Sequence, residues 1–131
     1  MKKNERRLRS WLLVTGAIYA LGAADFIARP WAATASLSRL GGDKIETEPA
    51  GLYNSLATAY MATIAALSFA AAKDPDAKRD LIPPLLVAKA VSSTTMLHRY
   101  LVTRKRGYAF GSALDAFLLG TTAGLYASLD K

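Results

Sequence analysis

The chain has 131 residues, 52% of them apolar, and a formal net charge of +7; that length allows one domain. It has no cysteine, which excludes structural disulfides, covalent c-type haem attachment, thiolate metal sites and thiol redox catalysis. No aromatic residues interleave with a basic stripe as a single-strand nucleic-acid binder requires, so the charge points to anionic lipid headgroups and not to nucleic acid.

Met1–Ser10 is a basic arm. The first apolar stretch, Trp11–Ala28, follows it and ends before Arg29 and Pro30. The order of basic arm, apolar stretch and the small-residue sequence ALGAA also matches a secretory signal; we expect the segment to be retained as a first span. Residues 30–50 form the longest connection. Pro30 suits a helix first turn and Gly41-Gly42 a helix stop, so Trp31–Leu40 is expected to be a short helix at the membrane interface, where Trp is favoured. Thr47, Glu48 and Pro49 then signal a new helix start.

The next 22 residues, Gly51 to Ala72, carry no charge at all. As a helix they span roughly 33 Å, about one bilayer core. A soluble bundle helix keeps charges on its outer face, and this stretch has no such face. Lys73–Asp80 is a polar turn in which Pro75 stops the helix. Asp80 is positioned to cap the third stretch, Leu81–Val102, and Pro83 and Pro84 lie early enough in it to be tolerated. Thr103–Gly107 is a hairpin, which makes the third stretch and the fourth, Tyr108–Leu129, antiparallel neighbours.

These features predict an all-α fold. The chain reads as a polytopic membrane protein, a four-transmembrane-helix bundle with short loops, with spans near 11–28, 51–72, 81–102 and 108–129. Its mean hydropathy is low for that class because charges are segregated. Of the 17 basic and 10 acidic residues, only Asp25, Lys89, Arg99 and Asp115 fall inside the four stretches. The flanks on the N-terminal side carry nine Lys and Arg (five in Met1–Ser10, three in Lys73–Asp80, then Lys131). The other side carries seven (Arg29, Arg39, Lys44, Arg99 and Arg104 to Arg106). This bias, with the first flank dominant, places both termini in the cytoplasm, in a bacterial inner membrane. The TRKRG turn runs against it, which leaves binding of something acidic, or insertion in both orientations. Arg104, Lys105 and Arg106 are expected to contact lipid headgroups.

Charges inside a membrane are costly and usually face the bundle interior. Lys89, Ser92, Ser93, Met96, Arg99 and Tyr100 share one face of the third stretch. Tyr108, Ser112, Asp115, Thr122 and Tyr126 share one face of the fourth. Lys89 and Asp115 are the central pair of candidates. Counted from the hairpin they differ in depth by roughly 9 Å, so a direct contact needs a helix shift or a stretched lysine; a link through water or Ser92 and Ser93 is the alternative. Asp25 and Arg99 lie at similar depth and could pair if their helices touch. Small residues form close-packing series at Ala116, Gly120 and Gly124, and again at Gly16, Ala20 and Ala24. His98, the sole histidine, lies opposite the Lys89 stripe. It could supply one axial ligand to a haem or chlorin held by neighbours. No cofactor is otherwise indicated, and no metal cluster, phosphate loop or catalytic pair is recognisable.

The hydropathy plan resembles that of small bacterial four-helix membrane proteins, the DoxX-like group among them, in layout alone. Small multidrug transporters need a glutamate embedded in the first helix, but Glu5, Glu46 and Glu48 lie outside the spans. Small fluoride channels use phenylalanines in the third helix, and this one has none. The expected function is therefore a non-catalytic accessory or structural subunit of a larger membrane complex, partnered by lipids and by other subunits or itself. A small oligomeric transporter or channel using the Lys89/Asp115 interior is the alternative, and a lipid- or quinone-handling membrane enzyme the third reading.

Overall fold

The computed structural model of the chain describes residues 2–29, 32–42 and 50–130, all helix, turn or short connection without a strand. In order come α1 (Lys3–Ala28), α2 (Ala32–Gly41), α3 (Ala50–Lys73), a 3-10 turn over Arg79–Leu81, α4 (Ile82–Thr103) and α5 (Arg106–Ala127). The start signal at Thr47–Pro49 lies outside the described residues, as does Trp31.

α1 starts eight residues before the expected Trp11, so the basic arm is helical. Glu5 explains the start: its carboxylate accepts the Lys2 backbone N–H at 3.1 Å, satisfying one of the orphan donors of a first turn. Arg29 ends the helix in extended backbone, as suits a residue before proline. Leu8, Leu12, Thr15, Gly16, Tyr19 and Ala23 are the buried face, a stripe of steps of three and four. α2 fills the interval that Pro30 and Gly41-Gly42 suggest, and Gly42 takes the left-handed conformation (φ 68°) that ends it.

Asp80 does not cap α4. The 3-10 turn precedes the helix, and Leu81 occupies the cap position without a side-chain bond. Asp74 does the capping work in this loop instead, accepting the Ala77 N–H at 2.9 Å. The prolines sit in the first turn of α4, where no intrahelical N–H is lost.

The four long helices form a ring of antiparallel neighbours. α1 packs chiefly on α3 and α4 chiefly on α5, with lighter contact between the two pairs; α2 lies mainly across the start of α5. At one end, Asn4 Nδ2 donates to the Ser128 carbonyl at 2.8 Å. Arg79 joins both Asp130 and Asp76 there; these bonds, Asp130's first, hold its guanidinium above its ordinary pKa. At the other end the Gly41 and Gly107 backbones touch so closely that a Cβ on Gly41 would strike the Gly107 main chain.

Among the described residues two helices are long and apolar enough to cross a membrane: α1, and α3 from Ser55 to Lys73. α4 and α5 match them in length at 22 residues each, but are diluted by polar residues: Lys89, Ser92 to Thr95, His98 and Arg99 in α4, and Asp115 with scattered Gly, Ser and Thr in α5.

Candidate functional site

The interior between the two helix pairs centres on Lys89 and Asp115. Lys89 Nζ donates to Asp115 Oδ1 at 3.0 Å, with the two side chains 4% and 8% exposed. The contact is direct, and its register explains how. Ser93 Oγ donates to the Ser112 carbonyl at 3.0 Å, and Ser112 Oγ to the Ser93 carbonyl at 2.9 Å. These reciprocal bonds set Ser93 level with Ser112, where a hairpin centred on Lys105 would set it opposite Phe117. Four residues back along α4 and three forward along α5 then reach Lys89 and Asp115 at nearly one depth.

α1 supplies a third member. Tyr19 Oη donates to the same Asp115 oxygen at 2.9 Å. The Tyr19 ring also lies under the ammonium, with Lys89 Nζ 3.4 Å from its centroid; the Tyr60 ring of α3 lies at 5.5 Å. The two rings meet edge to face, centroids 6.3 Å apart. Thus one carboxylate oxygen accepts two hydrogen bonds, and the cation rests on aromatic faces that attract it. Tyr60 Oη reaches the Ala88 carbonyl at 3.4 Å and lies beside Ser92. The arrangement neutralises both charges in place, with contributions from all four long helices.

A second polar layer continues along α1 and α5. Trp11 Nε1 donates to Thr122 Oγ1 at 2.9 Å, and Thr122 in turn donates to the Leu118 carbonyl. Asn4 with Ser128, Trp11 with Thr122 and Tyr19 with Asp115 step together along the two helices, so their register is fixed at three levels. Between the layers lies a cavity of about 10 Å³, lined by Thr15, Ser68, Lys89 and Thr122 and by Leu12, Ile64, Leu85, Leu86 and Leu118. The Thr15 and Ser68 hydroxyls are buried and have no hydrogen-bond partner among the described residues.

The remaining candidates are scattered. Asp25 pairs with Arg29 one turn on in its own helix, not with Arg99; no Cα of α1 comes within 8 Å of one in α4 among the described residues. Arg99 and His98 are exposed on α4, and no further histidine, cysteine or carboxylate joins His98 in a metal-ligating group among the described residues. Gly16 takes the Phe69 ring of α3, a Cβ there falling 2.8 Å from it, and Ala20 is packed against the core. Ala116, Gly120 and Gly124 point outward, with nothing within 4 Å of a Cβ built on either glycine. In the α4–α5 turn Arg104 and Arg106 are exposed and Lys105 half-buried; Lys105 and Arg106 make further interactions within the chain.

Sequence reasoning missed Tyr19, Tyr60, Thr15 and Ser68. Thr15 and Tyr19 were legible in principle as an i, i+4 polar step inside the first apolar stretch. Tyr60 and Ser68 carry no such signal, because an isolated hydroxyl in an uncharged helix is compatible with any face.

No family model matches the chain, and no curated protein or solved structure matches it significantly. The likeness in layout to DoxX-like proteins therefore assigns no family, and function is argued from the geometry.

Proposed function

We propose that this chain is a four-span integral membrane protein acting as a non-catalytic accessory subunit of a larger membrane assembly. The observation that carries the reading is an inverted distribution of polarity. Thr15, Ser68, Lys89, Ser112, Asp115 and Thr122 are buried, while Val14, Leu21, Ile27, Val87, Val102 and Phe117 are each more than half exposed, as are further large apolar residues. A water-soluble monomer rarely leaves so much apolar surface uncovered; a bilayer covers it and drives polar groups inward. That argument extends the membrane reading from α1 and α3 to α4, which turns Val87, Leu101 and Val102 outward, and to α5, which turns Leu114 and Phe117 outward.

The accessory role is supported by what the interior does. The buried charges are mutually satisfied and rest on tyrosines, a geometry that fixes packing. The adjoining cavity measures only about 10 Å³, which disfavours a transport route through Lys89. The outward Ala116/Gly120/Gly124 face suits close approach of a helix from a partner or a second copy.

Gly120→Leu tests this reading. The variant should keep the monomer's thermal stability in detergent, because none of the described residues comes within 4 Å of a Cβ at that position. It should lose the partner or self-association seen after mild detergent extraction. Unchanged association would remove the accessory reading. Reporter fusions after Leu129 and after Gly42 should place the C-terminus in the cytoplasm and the α2 region outside; a C-terminus outside in every molecule would overturn the topology.

A further inference from the structure

We infer that the groove between the first turns of α1 and the end of α5 is a binding site for one anionic phospholipid. This rests on the membrane reading above. The groove is an open surface depression of about 570 Å³ lined by the cations Lys3, Arg6 and Arg7, by Ser10, and by the apolar Trp11, Val14 and Leu125; along α1 the cations come first, as a rim, and the apolar residues follow. None of the three rim cations is ion-paired among the described residues. Glu5, the only acid nearby in sequence, is turned to the Lys2 backbone. The floor is apolar and held in place, because the Trp11 indole N–H is fixed on Thr122 and its ring meets Phe117 edge-on at 6.0 Å. Below the rim, Val14, Ile18 and Leu21 continue an exposed apolar track over seven residues, roughly 10 Å.

The chemistry of the occupant follows from that order. A phosphodiester at the rim would meet two guanidiniums, which bind phosphate oxygens through forked N–H pairs. An acyl chain would run along the indole and the aliphatic track. Soluble phosphate would satisfy the rim alone, and a zwitterionic lipid would bring its own cation into a cluster of three. Trp11 is one of only two tryptophans, so it reports on the groove directly.

The experiment uses Trp31→Phe protein in mixed micelles and follows quenching of Trp11 by lipids brominated on the acyl chain. Brominated phosphatidylglycerol should quench at a mole fraction roughly 25-fold lower than brominated phosphatidylcholine, given the roughly fivefold gain for each of the two guanidiniums near an anionic lipid. Arg6→Gln with Arg7→Gln should abolish that difference, and glycerol phosphate should not compete. Equal potency of the two lipids, a preference that survives the arginine substitutions, or full competition by glycerol phosphate would each overturn the site. Failure of every brominated lipid to quench Trp11 would instead overturn the membrane reading itself.

A different observation carries a second inference: the cavity beside Lys89 is a site for one water molecule. Thr15 and Ser68 are 5% and 0% exposed, both hydroxyls lack a partner among the described residues, and both line the cavity. Lys89 shares that lining and has three N–H donors, of which one reaches Asp115. The volume of about 10 Å³ is that of a single water's allowance. Thermal unfolding decides the matter by sign. If a water bridges the hydroxyls, Ser68→Ala and Thr15→Val each lower the midpoint by about 3 °C, and the double variant loses less than the two together. A raised midpoint in either single variant would show an unsatisfied hydroxyl and overturn the site.

Discussion

Along α1 and α3 the backbones approach because Gly16 and Gly22 leave room for the Phe69 ring and the Met61 thioether. Along α4 and α5 they are joined by polar groups, the crossed Ser93 and Ser112 bonds and the Lys89–Asp115 pair. The first arrangement fits shape alone. The second fixes register, since a one-residue slip parts every hydrogen bond. The pair held by polar bonds therefore dictates depth, and Tyr19 and Trp11 transmit that depth to α1.

The largest effect that would break this contrast is at the charged pair. Lys89→Met or Asp115→Asn should each lower unfolding free energy by about 3–5 kcal/mol, because the survivor is left buried and unpaired. The double variant should recover most of that loss. Additive losses in detergent unfolding would show that the two groups are independent.

Next is the Gly41–Gly107 crossing, where shape and not polarity decides. Gly41→Ala forces main chain from main chain and should cost about 1–3 kcal/mol, with loss of protection of the α2 amides in hydrogen exchange. Gly120→Ala, the control at a helical position with room for a Cβ among the described residues, should instead gain up to about 1 kcal/mol from helix propensity.

Ser93→Ala with Ser112→Ala sharpens the register argument. Each should cost about 0.6 kcal/mol, the scale of helix–helix hydrogen bonds in membranes. A cysteine cross-link map of α4 on α5 should then show mixed registers. A single unchanged register would transfer that role wholly to Lys89 and Asp115. The smallest effect is at the turn: Arg104 is the only non-glycine residue with positive φ among those described, at 59°, so Arg104→Gly should add about 0.5 kcal/mol.

Much of the interior was legible as stripes. Lys89 with Ser92 and Ser93, and Ser112 with Asp115 and Thr122, follow from 100° per residue, and all are buried or half-buried. Arg99 shows where a stripe misleads. Ten residues on from Lys89 it lies about 80° round the helix, at the edge of the stripe, and it is exposed. Asp25 shows the same for pairing, because Arg29 one turn away is a nearer partner than any residue across the bundle.

The sequence by itself determined the helices, their approximate ends and which residues of α4 and α5 turn inward, because periodicity, proline and glycine act locally. It did not determine depth. Hairpin counting separated Lys89 from Asp115, and only the packed register of α4 on α5 brought them to one level. Nor did it determine which small-residue series packs within the chain. Gly16 met Phe69 while Gly120 faced outward, because a stripe names a surface that can approach another, and the arrangement of the remaining helices decides whether one is there.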